Sequence, residues 1–560
     1  MISDRQHVHA SCPAGLSGMS RVLVLGGAVA GMLLLYAVAL WWGELNQDEG
    51  WYLYAGRLVF EGQVPYRDFA STQGPVMAYG YALAYPLVRA GGVLGGRLFT
   101  AGLGVLSILL AGCLARRIAL RRGVDAFWPV LVVLAFCGLN VYQVYFTTIV
   151  KTYALAAVCL LAGLILLERA LALVAAKVER VSGMVFGLAA AGGLLLALSA
   201  GTRLSAAFVL PACWLPLALR WWRCGRPSLL GHWVAGLLVG GTAGIVLCFV
   251  PFLLLASEGL QFGLLTYHAG RAVDGWFPLL FYKAGFVLRV IQSYWPLLAM
   301  VMLMGLCTRV GFRRRGAATG AAAPLQLPLW SCFITVTVVH LLSAFPYDDY
   351  QVFIMPLAVV AASLGVGHCL SEWRAEERIQ VQWAIGGLML LLLYSLSGPL
   401  LHGWVLAPRD RIWWPLRAES SLGQLRRVGR DLREGSKRAD VGGTMITQDT
   451  YVAVEAGFRV PAGMEMGPFS NFLDLDDARA QRLRVLNRAG VEEVLSRGDG
   501  LWVTYSAYGF SIVAPSIEPL PDVERDRLLA MLAQHFVFFA VEPSFGQAMT
   551  DLHIYRRKGK

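Results

Sequence analysis

Long apolar runs recur along the chain from Val22 to Leu401 and then stop, and no other feature restricts the possible folds as strongly. A hydrocarbon core of ~30 Å takes about 20 helical residues to cross, and Val22–Gly43 is long enough to do so. Comparable runs follow at about 98–115, 127–146, 152–168, 185–200, 204–219, 232–256, 284–307, 328–344, 351–370 and 382–401, which gives eleven expected crossings. The shorter run Val76–Val88 is broken by Gly80 and Pro86 and reads as a re-entrant or surface helix. A chain that is 57% hydrophobic and 15% charged, with mean hydropathy +0.58, is too apolar for a soluble globular protein. The fold expected is a polytopic α-helical membrane protein with about eleven crossings.

Charge orients it. After Leu401 there are 21 Lys+Arg against 20 Asp+Glu, leaving 27 against 16 before it, so nearly all of the net +12 belongs to the apolar part. Arginines cluster after alternate runs, at Arg116, Arg117, Arg121 and Arg122, then at Arg220 and Arg223, then at Arg313 and Arg314. Such clusters mark the cytoplasmic side, which excludes a nucleic-acid-binding face as the source of the basic excess. Residues 1–21 then form a cytoplasmic tail, 22–401 the membrane domain with its first outer loop at 44–75, and 402–560 a soluble domain on the outer face of the plasma membrane. In that last part the strand-like runs Gly443–Thr447, Leu501–Ser506, Phe536–Val541 and Leu552–Arg556 alternate with helix-like segments at Ala478–Leu495 and Asp522–His535. A small α/β domain is expected. All ten cysteines precede it, with no disulfide framework or CxxC metal signature.

The expected outer loops collect the unusual polar groups of the membrane part: Asp48, Glu49, Arg57, Lys151, Arg203, His268, Arg271, Asp348 and Asp349. Outer loops are normally poor in Lys and Arg. Basic residues in tight outer turns, as Lys151 and Arg203 are, therefore suit an anionic partner such as a phosphate. The acids beside them are suited to handling a proton. Directly after the first run, Trp51, Tyr54, Ala55 and Leu58 fall at helical spacing with Arg57 and Glu61 on the other side, which predicts a helix lying on a membrane surface.

The order of an apolar span, Asp48-Glu49-Gly50-Trp51-Tyr52, then Tyr66-Arg67-Asp68-Phe69 and Gln73-Gly74-Pro75, resembles the first outer loop of the GT-C membrane glycosyltransferases. The branch of protein O-mannosyltransferases and lipid A aminoarabinose transferases is the most similar. Gly201-Thr202-Arg203, Tyr267-His268-Ala269-Gly270-Arg271 and the stretch from Tyr350 to Pro356 add weaker matches, so the resemblance covers about residues 1–400. It implies a GT-C-like fold and inverting transfer of one sugar from a polyprenyl-phosphate donor to a lipid, glycan or protein acceptor at the outer face. Asp48 falls at the family's catalytic position, as base or acceptor-orienting group, with Glu49 beside it. Arg203 and Arg271, with Arg57 and Lys151 behind them, are the implied ligands of the donor phosphate. Trp51, Tyr52, Tyr54, His268, Asp348 and Asp349 are implied sugar or acceptor contacts. Aminoarabinose transferases carry an acid and a lysine just before the proline that opens the second helix, where this chain has Thr72, Gln73 and Gly74. The resemblance implies no required cofactor; a divalent metal is the alternative, with His268 its candidate ligand. Two readings compete with the transferase: a lipid-linked-saccharide transporter or flippase, which needs ionisable groups near the membrane middle, and a non-catalytic subunit of a glycan assembly complex.

Overall fold

The computed structural model describes residues 18–176, 181–223, 228–270, 275–314, 326–372, 387, 419–436, 443–511 and 520–558. The first helices are α1 (Gly18–Trp42), α2 (Gln47–Phe60), α3 (Pro75–Gly91), α4 (Val93–Arg121), α5 (Phe127–Val133), α6 (Val141–Phe146) and α7 (Thr152–Ala175). They are followed by α8 (Ser182–Thr202), α9 (Val209–Arg223), α10 (Ser228–Gln261), α11 (Tyr267–Ala269), α12 (Trp276–Arg314), α13 (Gln326–Leu342) and α14 (Met355–Glu372). Among the described residues six stretches are long and apolar enough to cross a membrane: Gly18–Trp42, Val93–Arg121, Thr152–Ala175, Ser182–Thr202, Leu229–Ala269 and Trp276–Met302. Four further expected runs form shorter apolar helices, at Phe127–Gly138, Leu204–Leu217, Pro328–Leu342 and Met355–Gly367. The run 382–401 lies outside the described residues.

The structure departs from the expected runs where polar groups interrupt them. The stretch 127–146 is two pieces, because α5 ends in a π-turn at Leu134–Gly138 and Asn140 starts α6 by accepting the Gln143 N–H at 3.0 Å. Asn140 and Gln143 also bond the carbonyls of Ser293 and Val352, at 3.1 and 2.9 Å, so polar groups buried among apolar helices are satisfied across the bundle. Between the expected runs 232–256 and 284–307 the described residues are largely helical: the chain leaves helical geometry at Ala256 (φ −157°, ψ 53°) and then turns on through α11. The run 204–219 begins as a 3-10 turn, Leu204–Phe208, before α9.

Beyond the membrane part come α15 (Ser421–Ser436), β1 (Thr444–Thr447), α16 (Thr450–Ala456), α17 (Asp477–Leu483), α18 (Arg488–Arg497), β2 (Gly500–Tyr505), α19 (Asp522–His535), β3 (Phe536–Phe545) and β4 (Thr550–Arg557). The sheet order is β1-β2-β4-β3, with β1 and β2 parallel and the other pairs antiparallel. The four expected strands are present. The expected single helix over 478–495 is instead α17 and α18, separated where Arg484 turns left-handed (φ 57°) and Asn487 caps the next helix.

The apolar face of helix α2, expected on a membrane surface, is covered by protein instead. Trp51, Tyr54 and Leu58 are buried in one apolar core with Tyr451, Phe469 and Trp502 of the C-terminal part. Each such side chain contributes about 1.5–3 kcal/mol on burial. Contact is close enough to require Gly50, since a Cβ there would lie 2.2 Å from the Tyr451 backbone nitrogen. The first loop and the C-terminal sheet therefore lie on the same side of the molecule.

Candidate active site

The chain enters α2 through a capping box: Asn46 accepts the Asp48 N–H at 3.1 Å, and the Asn46 N–H donates to Glu49 Oε1 at 3.0 Å. Two acids in the first turn also favour the positive end of the helix dipole. Their fates then diverge with helical phase. Glu49 turns inward and is fully buried against Arg97, which donates from Nε to Oε2 at 2.7 Å and from Nη2 to Oε1 at 2.6 Å. The same guanidinium donates to the carbonyls of Leu40, Gly43 and Glu44 where α1 ends, at 3.0–3.2 Å. With the Val150 N–H at 3.3 Å as well, Glu49 joins three segments and does not line the cavity. Every direction from its carboxylate is occupied by a donor, which fastens α2 to the end of α1, to α4 and to Val150.

Asp48 turns outward into a cavity of about 510 Å³ bounded by the first loop, α7, the 3-10 turn after α8, α11, α13 and the turn Asp348–Gln351. Its Oδ1 accepts the Trp51 indole N–H at 3.2 Å. Its Oδ2 lies 3.2 Å from Lys151 Nζ, which is also 2.9 Å from Asp349 Oδ2. The Tyr153 hydroxyl donates to that same Asp349 oxygen at 2.8 Å, while Asp349 Oδ1 is buried with no hydrogen-bond partner. Burial would raise the Asp349 carboxyl, but the Lys151 ammonium, the Tyr153 hydroxyl and the Arg203 charge together hold it below the usual carboxylate value.

Arg203 follows α8 in extended conformation (φ −142°, ψ 113°). Its guanidinium lies over the Tyr350 ring at 4.1 Å and the Tyr153 ring at 4.8 Å, donates to Thr152 Oγ1 at 3.2 Å, and leaves Nε buried without a partner. The loop Thr72-Gln73-Gly74 reaches this edge because Gly74 packs on Gly201, where a Cβ would lie 2.1 Å from the carbonyl oxygen. His268 lines the cavity with Nε2 3.0 Å from the Thr72 carbonyl oxygen. Among the described residues no three His, Cys, Asp or Glu side chains come together to hold a metal.

Of the residues singled out in the sequence, the cavity thus gathers Asp48, Trp51, Tyr52, Lys151, Arg203, His268 and Asp349. Besides Glu49, three others go elsewhere. Arg57 donates to the Phe458 carbonyl at 2.9 Å and pairs with Glu61, in the contact with the C-terminal part and not in the cavity lining. The Tyr54 hydroxyl accepts the Val460 N–H at 3.0 Å in the same interface. Asp348 lies behind the cavity wall, held by Arg289 at 2.9 Å and the Tyr142 hydroxyl at 2.5 Å. Arg271 lies outside the described residues.

Sequence reasoning missed Arg97, Tyr153 and the line Ser205–His340–Gln351. In that line His340 Nε2 is 2.9 Å from Ser205 Oγ, and Nδ1 is 3.1 Å from Gln351 Nε2. The signal for Arg97 was an arginine directly before an apolar run on the expected outer side. Gln547 was missed too: it lines the cavity from the far end of the chain, and its Oε1 accepts the Gln47 N–H at 2.9 Å.

The chain is an integral membrane protein, and its fold is like that of the ArnT structures. In sequence it matches no protein-family model and no curated protein. In structure it is similar to the crystal structure of ArnT from Cupriavidus metallidurans in the apo state, with a TM-score of 0.58 and 16% identity over 96% of this chain and 98% of that one. It is similar also to ArnT from the same organism bound to undecaprenyl phosphate, with a TM-score of 0.56 and 14% identity over 95% and 98% of the two chains. At these identities the likeness is one of fold.

Proposed function

We propose that this protein is a glycosyltransferase that moves one sugar from a polyprenyl phosphate to an acceptor at the outer face of the membrane. The observation that carries the proposal is the convergence of Asp48, Asp349 and Arg203 on one cavity beside the membrane helices. The ArnT structure of the same fold bound to undecaprenyl phosphate supports a donor of this class. The arginine clusters support a cytoplasmic N-terminus, with the first loop and the C-terminal sheet outside.

In this reading an acceptor hydroxyl or amine attacks the anomeric carbon from the Asp48 side. Asp48 takes its proton, the bond from that carbon to the phosphate oxygen breaks, and the electron pair leaves with the polyprenyl phosphate. Arg203, with its unpartnered Nε, stabilises the charge developing on the departing phosphate. Asp349 Oδ1 accepts a sugar hydroxyl, and Trp51 and Tyr52 form the wall against which the ring rests. Arg271 is a second phosphate ligand on the strength of the sequence resemblance alone.

The test is transfer by purified protein from radiolabelled polyprenyl-phosphate sugars to membrane acceptors. Asp48→Asn should lower it by about 10²–10⁴-fold while leaving thermal unfolding unchanged. Full activity in that variant removes Asp48 from the reaction, and vectorial movement of intact lipid-linked sugar without transfer would establish the transporter instead.

A further inference from the structure

Lys151 opens α7, and its placement is fixed from several sides. The Tyr81 hydroxyl donates to its carbonyl at 2.7 Å, and its ammonium lies 5.4 and 5.8 Å from the ring centres of Phe146 and Tyr153. The lysine side chain is 7% exposed and the Asp349 side chain 5%. Asp349 and Asp48 come from opposite ends of the membrane part, yet both reach this one nitrogen.

Two carboxylates facing each other in so small a volume repel, and one of them takes up a proton unless a cation stands between them. A divalent ion is one solution, and it demands about six or more oxygen ligands at roughly 2.0–2.6 Å. An ammonium is another. It brings one charge and three donors, and here two of its contacts are the two carboxylates.

We propose that Lys151 is the resident cation of this centre, a positioning residue that stands where a divalent ion would bridge Asp48 and Asp349, so that transfer proceeds without a metal. The inference rests on the transferase reading and deepens it, since Lys151 then holds Asp48 in place beside Asp349 and does not bind the donor phosphate. Its charge is matched by the two acids, and Arg203 is left to meet the incoming phosphate. Asp349, held below the usual carboxylate value with Lys151 as the main stabilising neighbour, agrees with this division.

Mn²⁺ binding, followed by electron paramagnetic resonance on the purified full-length protein, tests the proposal without requiring activity. The wild type should bind no Mn²⁺ that Asp48→Asn or Asp349→Asn abolishes, and its transfer should be unchanged in chelator. Lys151→Met keeps the apolar stem and removes the charge. It should lose transfer at least a hundredfold in chelator, bind one Mn²⁺ through the exposed acid pair, and regain part of its activity as Mn²⁺ is added. The double variant Lys151→Met/Asp349→Asn leaves fewer buried charges unmatched, serves as the folding control, and should bind none. Wild-type Mn²⁺ binding that depends on Asp48 and Asp349, or full transfer by Lys151→Met in chelator, overturns the proposal. Absence of transfer in every protein, wild type included, overturns the transferase reading, while the Mn²⁺ measurement still decides the position of Lys151.

Discussion

Asp48 and Glu49 are neighbours in sequence, share one helical turn, and occupy opposite kinds of environment. Glu49 is fully buried and its partners are permanent: a two-pronged arginine and two backbone N–H groups. Asp48 has a side chain 21% exposed to the cavity and is held by one indole and one shared ammonium. A carboxylate with every lone pair engaged stabilises an arrangement, whereas one with a face left open can exchange partners during a reaction. The difference is set by about 100° of helical rotation per residue, not by residue type.

Variants can break this contrast, and the largest effect is expected on rate. Asp48→Asn should lower transfer by about 10²–10⁴-fold, the usual contribution of a positioned base, with an unchanged unfolding midpoint. Next comes Arg97→Met, which strands a buried carboxylate and should cost about 3–5 kcal/mol of stability, read as a fall in the unfolding midpoint and in yield from detergent. Pairing it with Glu49→Leu should return much of that loss, because no buried charge is then uncompensated. If Arg97→Met left stability untouched, the division between the two acids would fail.

A smaller effect is expected at the cavity edge. Arg203→Lys keeps the charge but loses the planar face lying on Tyr350. Binding of polyprenyl phosphate should weaken roughly tenfold, within the ~0.5–2 kcal/mol of a cation–π contact, as measured by titration with the lipid in detergent.

The smallest effect is a pH slope from a third kind of carboxyl. Burial pushes Glu465, in the C-terminal part, from 4.5 up to about 7, against backbone N–H groups that favour its charge. Its folded-state value is above its unfolded one, so its stabilising contribution is complete below about 4.5 and is lost as pH rises through about 7. Glu465→Gln should flatten the dependence of the unfolding midpoint on pH between those values. A slope that persists in the variant would assign it to other groups.

Much of this was legible in the chain before any coordinates. The apolar runs, the four C-terminal strands and helix Asp522–His535 follow from periodicity and composition, and Lys151 and Arg203 were conspicuous as basic residues in tight outer turns. The division between Asp48 and Glu49 was not legible, even though Asn46 and Glu49 carry the spacing of a capping box, because the deciding partner, Arg97, is remote in sequence. The break at Asn140 was hidden for a related reason: an unbroken apolar run reads as one helix, and only tertiary acceptors such as Ser293 and Val352 reward the interruption. Where α2 sits was misread because the surface that covers it is encoded some 400 residues later, as the Arg57–Phe458 contact shows.

That separation has a consequence for the order in which the molecule is made. Gln47 and Gln547 are bonded to each other across 500 positions, and synthesis runs from the first to the second. While the membrane helices insert, α2 has its own residues but not the residues of α16 and the sheet against which Trp51, Tyr54 and Leu58 pack. The wall that Gln547 and Phe469 supply is absent as well. A nascent chain can thus have its membrane helices in place and still lack a finished cavity, which closes only once Phe469 and Gln547 have been made and folded against it.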